Sequence, residues 1–346
     1  MNALRIALIS TPFVAVPPAG YGGTELVVHE LAEGLQSRGH EVTLFATGDS
    51  RTSAQLRTFY DRAQWPPEPL VELNHVSWAM EKIAAGTFDL IHAHSALALG
   101  LTRLVPRPPL AYTIHHVRTP EFSAFYQQFP DQHYVAISTS QMRQEEPLSR
   151  CTVIHHGLDP LRFGPAGEPD DYVCFVARLS KIKGPDVAID AAMAAGVPIR
   201  VAGEAHRGDQ VFFSEEMKPR LELPHVTRLG GIASPQKEAL LRRARALLFP
   251  ICWEEPFGLI MIEAMLSGCP VVAFGAGSVP EIVEPGVTGF VVEDTDEMAA
   301  TIRPGGVLDS FDRRACRARA VERFSRDRLV DDHLRLYHQI LNGTPA

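Results

Sequence analysis

Two glutamates eight residues apart, Glu255 and Glu263, mark the stretch EPFGLIMIEAMLSGCPVV, and their types and spacing suit a ligand rich in hydroxyls and phosphate. Gly258 and Leu259 are expected to open an apolar helix between them, so free backbone N–H groups there form an anion site. Eight residues of helical rise span about 12 Å, the scale of a sugar, a diphosphate and a ribose laid end to end. One carboxylate would then meet hydroxyls at each end, with phosphate between. Glu263 sits among Ile260, Ile262, Ala264, Met265 and Leu266. A carboxylate in such a surround is costly unless it meets donors, and ribose hydroxyls are suitable ones. The pattern reads as a nucleotide-sugar site.

Other groups add to it. TPFVAVPPAGYGGTE follows the first strand-like run, and its Gly22 and Gly23 allow close backbone approach to a diphosphate ahead of a helix, or a plain turn with Thr24 as N-cap. The loop lacks GxGxxG, so a nicotinamide or flavin site is not supported. In VARLSKIKG, Arg178 and Lys183 follow a strand and suit phosphates, each charged hydrogen bond contributing roughly 1.5–3 kcal/mol; Lys181 has a weaker claim. The pairs His92 and His94, His115 and His116, and His155 and His156 each end a predicted strand, where ligands gather in open α/β sheets. No zinc ligand set completes around them. GGIASPQKE offers the backbone around Gly231 and Ile232 for a flat base, with Ser234 as N-cap. Asp294–Asp296 (DTD) is read as a helix cap in preference to a metal triplet.

These residues need strands and helices to hold them. Strands are expected at Leu4–Ser10, Glu41–Ala46, Leu90–Ala93, Ala111–Ile114 and Tyr134–Ile137. A second set follows at Tyr172–Ala177, Ile199–Ala202, Val226–Leu229, Leu247–Pro250 and Pro270–Phe274. Helical patterns lie between, at Thr24–Ser37, Pro185–Ala195, Gln236–Arg245 and Leu259–Leu266. Such alternation means βαβ units and parallel sheets covered on both faces. The pattern starts twice, so two doubly wound α/β domains are expected, residues 1–157 and 172–325, with a Pro- and Gly-rich linker at 158–171 and an amphipathic helix at 326–341. Domains facing across a cleft would place the ligand at the carboxyl ends of their strands.

Composition sets outer bounds. At 346 residues, two domains is the natural prior. A net charge of −8 argues against nucleic acid as the main partner. Five scattered cysteines without a CxxC pair favour a reducing cytoplasm over a disulfide framework or zinc. No apolar run approaches 18 residues without charge or proline, and the N-terminus lacks signal-peptide layout.

Taken together the motifs resemble the retaining glycosyltransferases of family 4, which have the GT-B fold. The resemblance spans nearly the whole chain: Gly22–Gly23, DLIHAHSA, YTIHH, VIHHGLDPLRF, RLSKIKG, EEPFGLIMIEAMLSGCPVV and PEIVEPGVTGFVV. It implies that Arg178 and Lys183 neutralise the donor diphosphate and that Glu255 binds the donor sugar. The N–H groups of Phe257, Gly258 and Leu259 would hold sugar and phosphate, Glu263 the ribose, and Gly23 the diphosphate. His115 matches the family histidine near the sugar's O6 and reacting carbon, with His116 a second candidate. It also implies a C-terminal helix crossing back to the first domain, as 326–341 would do. Three features depart from the pattern. Pro-Ser before the first glutamate is Pro250-Ile251, with one extra residue before Glu255; the linker's Asn-Gly is His156-Gly157; and the first domain is compact.

The expected reaction moves a sugar from a nucleotide-diphosphate donor, UDP-sugar favoured, to an acceptor hydroxyl without an essential metal and without another cofactor. A nucleotide-sugar epimerase on the same frame, which would act without an acceptor, and a non-catalytic binding module are the alternatives; both glutamates and both cations argue against the binding module. Residues 1–150 hold 11 Lys and Arg against 14 Asp and Glu, which disfavours anionic lipid as acceptor. A small molecule, an oligosaccharide or a natural product is favoured, and the compact chain resembles bacterial members, some of them from antibiotic pathways.

Overall fold

The computed structural model describes residues 3–164 and 167–343. The chain divides into two units: one runs to Leu158 and takes in the segment from Arg326 onward, and the other is Asp159–Ser325. The linker expected at 158–171 contains residues 165 and 166, which lie outside the described residues.

The first unit is built on seven strands: β1 (Arg5–Ile9), β2 (Glu41–Ala46), β3 (Gln55–Thr58), β4 (Leu90–Ala93), β5 (Leu110–Ile114), β6 (His133–Ala136) and β7 (Cys151–Val153). They pair in parallel in the order β3-β2-β1-β4-β5-β6-β7. In register, Ile6 faces Val42 on one side and Leu90 on the other. The central strands are buried runs, as a sheet covered on both faces requires. Strand order reverses beside β1, so the loops leaving β1 and β4 diverge and open the crevice in which such sheets take ligands.

The second unit repeats the plan with β8 (Val173–Val176), β9 (Ile199–Ala202), β10 (Val226–Gly230), β11 (Leu247–Phe249), β12 (Val271–Phe274) and β13 (Gly289–Val292). Their order is β10-β9-β8-β11-β12-β13, again all parallel. Here the reversal lies between β8 and β11. The loops that leave these two strands are RLSKIKG and PICWEEPFG, so topology alone brings Lys183 and Glu255 to one place.

Strand ends differ from the expected ones by a residue or so, and three strands were not expected at all. Two of them, β3 and β13, close sheet edges, as does the three-residue β7. Edge strands are short and often polar, and β3 reads QLRT with only Leu56 partly covered. The helix expected at Gln236–Arg245 runs Ser234–Arg243.

The helix Arg326–Leu341 packs in the first unit. Leu329, Val330, Leu336, Tyr337 and Ile340 share a core with Ile6, Leu8, Val28 and Leu31. Arg326 Nε meets the fully buried Glu30 at 2.5 Å, and Arg38 reaches Asp327 and Asp331 at 3.1 Å each. Among the described residues no helix is long and apolar enough to cross a membrane.

Candidate functional site

In the second unit two loops are stitched together by backbone. The Cys252 N–H donates to the Ile182 carbonyl at 2.9 Å. Gly184 takes a positive φ of 68°, and a Cβ there would lie 2.1 Å from the Pro250 carbonyl oxygen. Only glycine fits a chain approaching that closely in that conformation. The turn therefore presents Lys183 directly to the loop carrying Glu255.

Lys183 Nζ donates to Glu255 Oε2, and the same oxygen accepts the Trp253 indole N–H at 2.9 Å. Lys183 Nζ also lies 4.7 Å from the centroid of the Trp253 ring. Glu255 is held from behind as well. Its carbonyl accepts the Ser278 N–H at 2.9 Å, while Ser278 Oγ donates to the Phe257 carbonyl at 2.9 Å. Gly277, with φ +56°, lets this support approach; a Cβ there would lie 2.3 Å from Glu255 N. The turn then enters the helix Leu259–Leu266 with Gly258 as N-cap and no capping side chain; the Met261 N–H donates to the Gly258 carbonyl at 2.9 Å, and the Leu259 and Ile260 amides before it have no intrahelical partner.

Only the second half of the Glu255–Glu263 interval is helical, so the 12 Å rise of a continuous helix does not measure the separation of the two carboxylates. Glu263 is 2% exposed, and Lys237 Nζ donates to its Oε1 at 2.7 Å. The donor that its apolar surround demanded is thus, within the protein, a lysine from the preceding helix, Ser234–Arg243. Arg178 follows β8, with its Nε 3.4 Å from Asp209 Oδ2. Lys181 turns away to the buried Asp186 at 2.5 Å. Gly231 and Ile232 lie past β10, and Ser234, expected as N-cap, is the first helical residue; the Gln236 side chain closes that end by accepting the Ala233 N–H at 3.3 Å. Asp294 caps the helix Thr295–Ile302 by accepting the Glu297 N–H at 2.8 Å.

In the first unit Gly22 is the N-cap of the helix Gly23–Ser37, so Thr24 lies inside the first turn and is not the cap. Glu25 in that turn is buried and accepts from Thr11 Oγ1 at 2.6 Å; burial raises its pKa. The histidines form a stack. Ring centroids are separated by 5.2 Å from His333 to His92, 4.6 Å to His94, 5.0 Å to His115 and 5.5 Å to His156. His92 is bonded on both sides, to Tyr337 Oη at 2.6 Å and Thr113 Oγ1 at 2.8 Å. His94 Nδ1 and His115 Nε2 are hydrogen-bonded to one another at 2.7 Å. His116 has both nitrogens engaged, by the Val117 carbonyl and Tyr126 Oη, each at 2.7 Å. Arg328 donates to the carbonyls of His155 and His156 at 2.7 Å. Burial drives the pKa of every ring in the stack below its ordinary value, His115 to about 3 and His333 to about 4.

The structure thus brings Lys183, Glu255, Phe257, Gly258 and Leu259 into one continuous feature. Sequence reasoning missed Lys237, Trp253, Ser278 and Gly277. A signal existed for Lys237, which precedes the buried Leu240 and Leu241 by three and four residues and so faces inward with them.

Residues 21–162 match the model described as glycosyltransferase family 4, and residues 162–304 the one described as glycosyl transferases group 1. Glycogen synthase of Mycobacterium tuberculosis is 26% identical over 390 residues, spanning 95% of this chain and 91% of that protein. Among solved structures, AviGT4, a glycosyltransferase involved in avilamycin A biosynthesis, superposes with a TM-score of 0.77 at 24% identity, covering 99% of each chain. Anabaena HepE, solved in complex with UDP and glucose, gives 0.73 at 23% identity, covering 97% of this chain and 99% of that one. With both halves matched and the two parallel sheets in place, the chain belongs to the family 4 (group 1) glycosyltransferases and has their GT-B fold.

Proposed function

We propose that the chain transfers a sugar, with retention of configuration, from a nucleoside-diphosphate sugar to an acceptor hydroxyl, and that UDP is its nucleotide. The observation that carries this reading is the cluster at the strand-order reversal of the second sheet, where Lys183, Glu255 and the open amide end of Leu259–Leu266 meet. A cation, a helix end and a carboxylate in sequence suit diphosphate followed by sugar.

In this reading Arg178 and Lys183 take the diphosphate. The N–H groups of Phe257, Gly258 and Leu259 bind phosphate and sugar, and Glu255 accepts from sugar hydroxyls. Glu263 binds ribose, and the backbone at Gly231 and Ile232 holds the base. Gly22 and Gly23 at the diphosphate and His115 at the sugar are assigned on the family resemblance. The leaving diphosphate is stabilised by preorganised charge and dipole, and a bound metal is not required for that step. Retention proceeds by same-face attack, a donor phosphate oxygen taking the acceptor proton. UDP is chosen because HepE was solved with it. The acid excess of residues 1–150 favours a small-molecule, oligosaccharide or natural-product acceptor over anionic lipid. The free cysteines support a cytoplasmic setting.

Thermal shift with UDP, GDP, ADP and dTDP selects the nucleotide, and calorimetry of Glu263→Ala tests the site. Affinity for the selected diphosphate is expected to fall about tenfold or more. Unchanged affinity sinks the ribose role, and no shift with any of the four sinks the reading itself.

A further inference from the structure

The stretch between Pro250 and Glu255 is one residue longer than the family pattern, and it carries Trp253. Its indole N–H and the Lys183 ammonium both end on Glu255 Oε2, and the ammonium also faces the indole ring. Glu255 Oε1 accepts no hydrogen bond among the described residues and is not among the polar atoms sealed from solvent. The carboxylate is therefore asymmetric, with one oxygen fastened twice and the other presented.

The double fastening matters once a diphosphate arrives. An ammonium beside two phosphates is drawn to them, because their charge exceeds that of one carboxylate. Lys183 alone would then release Glu255 at the moment its orientation counts. An indole N–H carries no net charge and has no acceptor here except Oε2, so it stays. The backbone supports this division: the Glu255 N–H donates to the Trp253 carbonyl at 2.9 Å and the Ser278 N–H to the Glu255 carbonyl at 2.9 Å. Main chain thus fixes where both residues start, and the indole fixes where the carboxylate points.

We propose that Trp253 is a positioning residue for the donor sugar, holding Glu255 Oε2 after Lys183 turns to the diphosphate so that Oε1 stays aimed at sugar hydroxyls. This rests on the reading that Glu255 meets the sugar, and the experiment separates the two. Calorimetry would measure the selected nucleoside diphosphate alone and its glucose, galactose and N-acetylglucosamine conjugates. The informative quantity is the affinity of the best conjugate divided by that of the free diphosphate.

Trp253→Phe keeps a ring and removes the N–H. The ratio is expected to fall about tenfold, with affinity for the free diphosphate within about twofold of wild type. Glu255→Gln is expected to lower the ratio at least as far. If Glu255→Gln lowers it and Trp253→Phe does not, the positioning role is overturned while the Glu255 reading stands. If Glu255→Gln leaves it unchanged, or the wild type binds no conjugate more tightly than the diphosphate, the Glu255 reading fails and the inference with it. Equal losses for conjugate and free diphosphate in Trp253→Phe also overturn it, since Trp253 would then be serving the nucleotide or the fold. Trp253→Leu provides the same comparison if the Phe variant does not fold.

Discussion

Lowering the pH from 7 to 5 should destabilise the first unit more than the second, because of the histidine stack. His92, His94, His156 and His333 are all at most 5% exposed, and burial, the largest cause in each case, holds them neutral. Below pH 6.5 an unfolded histidine takes a proton that the folded one refuses. Stability present above pH 6.5 is therefore lost as the pH falls from there toward the folded value, about 3 for His115 and about 4 for His333. Each group costs about 1.4 kcal/mol per pH unit in that window, so at pH 5 these two together cost about 4 kcal/mol. The remaining three act in the same direction. Arg328 further opposes a charge on His156 and His333, while Asp332, paired to Arg328 at 2.7 Å, partly offsets it at His333. Domains are stable by about 5–15 kcal/mol, so the loss is a large share of the total. The second unit has only His206 and His225 and no such stack among its described residues. Urea unfolding at pH 7, 6 and 5, with hydrogen exchange read by mass spectrometry, would assign the loss to each unit. A change below about 1 kcal/mol in the first unit, or an equal change in the second, would refute the reasoning.

Three further outcomes follow from the second unit. Arg178→Ala and Lys183→Ala should each lower turnover at least about tenfold, since each removes a charged contact to phosphate; near-normal rates in both would remove the phosphate assignment. Lys237→Ala takes from Glu263 the cation that meets it at 2.7 Å and should destabilise the protein by about 3–5 kcal/mol in urea titration, an unshifted midpoint being the contrary result. Gly184→Ala forces a side chain against the Pro250 carbonyl at φ +68° and should cost about 1–3 kcal/mol while displacing Lys183. Wild-type stability and turnover in that variant would mean the two loops are not coupled.

What could be read from the chain followed from burial. IALI is an unbroken apolar run and VTLFA is broken only by Thr43, because β1 and most of β2 are covered on both faces, and such runs announce themselves. QLRT gave no such signal, since an edge strand needs only one neighbour and leaves its side chains in water. Glu255, Lys183 and Gly258 were legible because they sit in contiguous motifs whose turn chemistry is local. Trp253 was not, because its importance lies in which loop the fold sets beside it, and Lys237 was legible only as an inward-facing residue, its partner Glu263 coming from another helix. The histidine pairs stood out at strand ends, but their stacking depends on β4 lying beside β5. His333, from a helix far along the chain, completes a contact that no spacing encodes.

The helix Arg326–Leu341 also fixes an order of events during synthesis. The core of the first unit contains Leu329, Val330, Leu336, Tyr337 and Ile340, yet the ribosome makes all of Asp159–Ser325 before any of them. At about 5–20 residues per second that interval lasts roughly 10–30 s. Through it, Ile6, Leu8, Val28 and Leu31 wait without part of their covering, and His92 without the Tyr337 hydroxyl. The second unit, whose strands and helices all come from one continuous segment, can close its own core meanwhile. The first unit is thus begun before the second and completed after it, with its apolar surface unfinished throughout that interval.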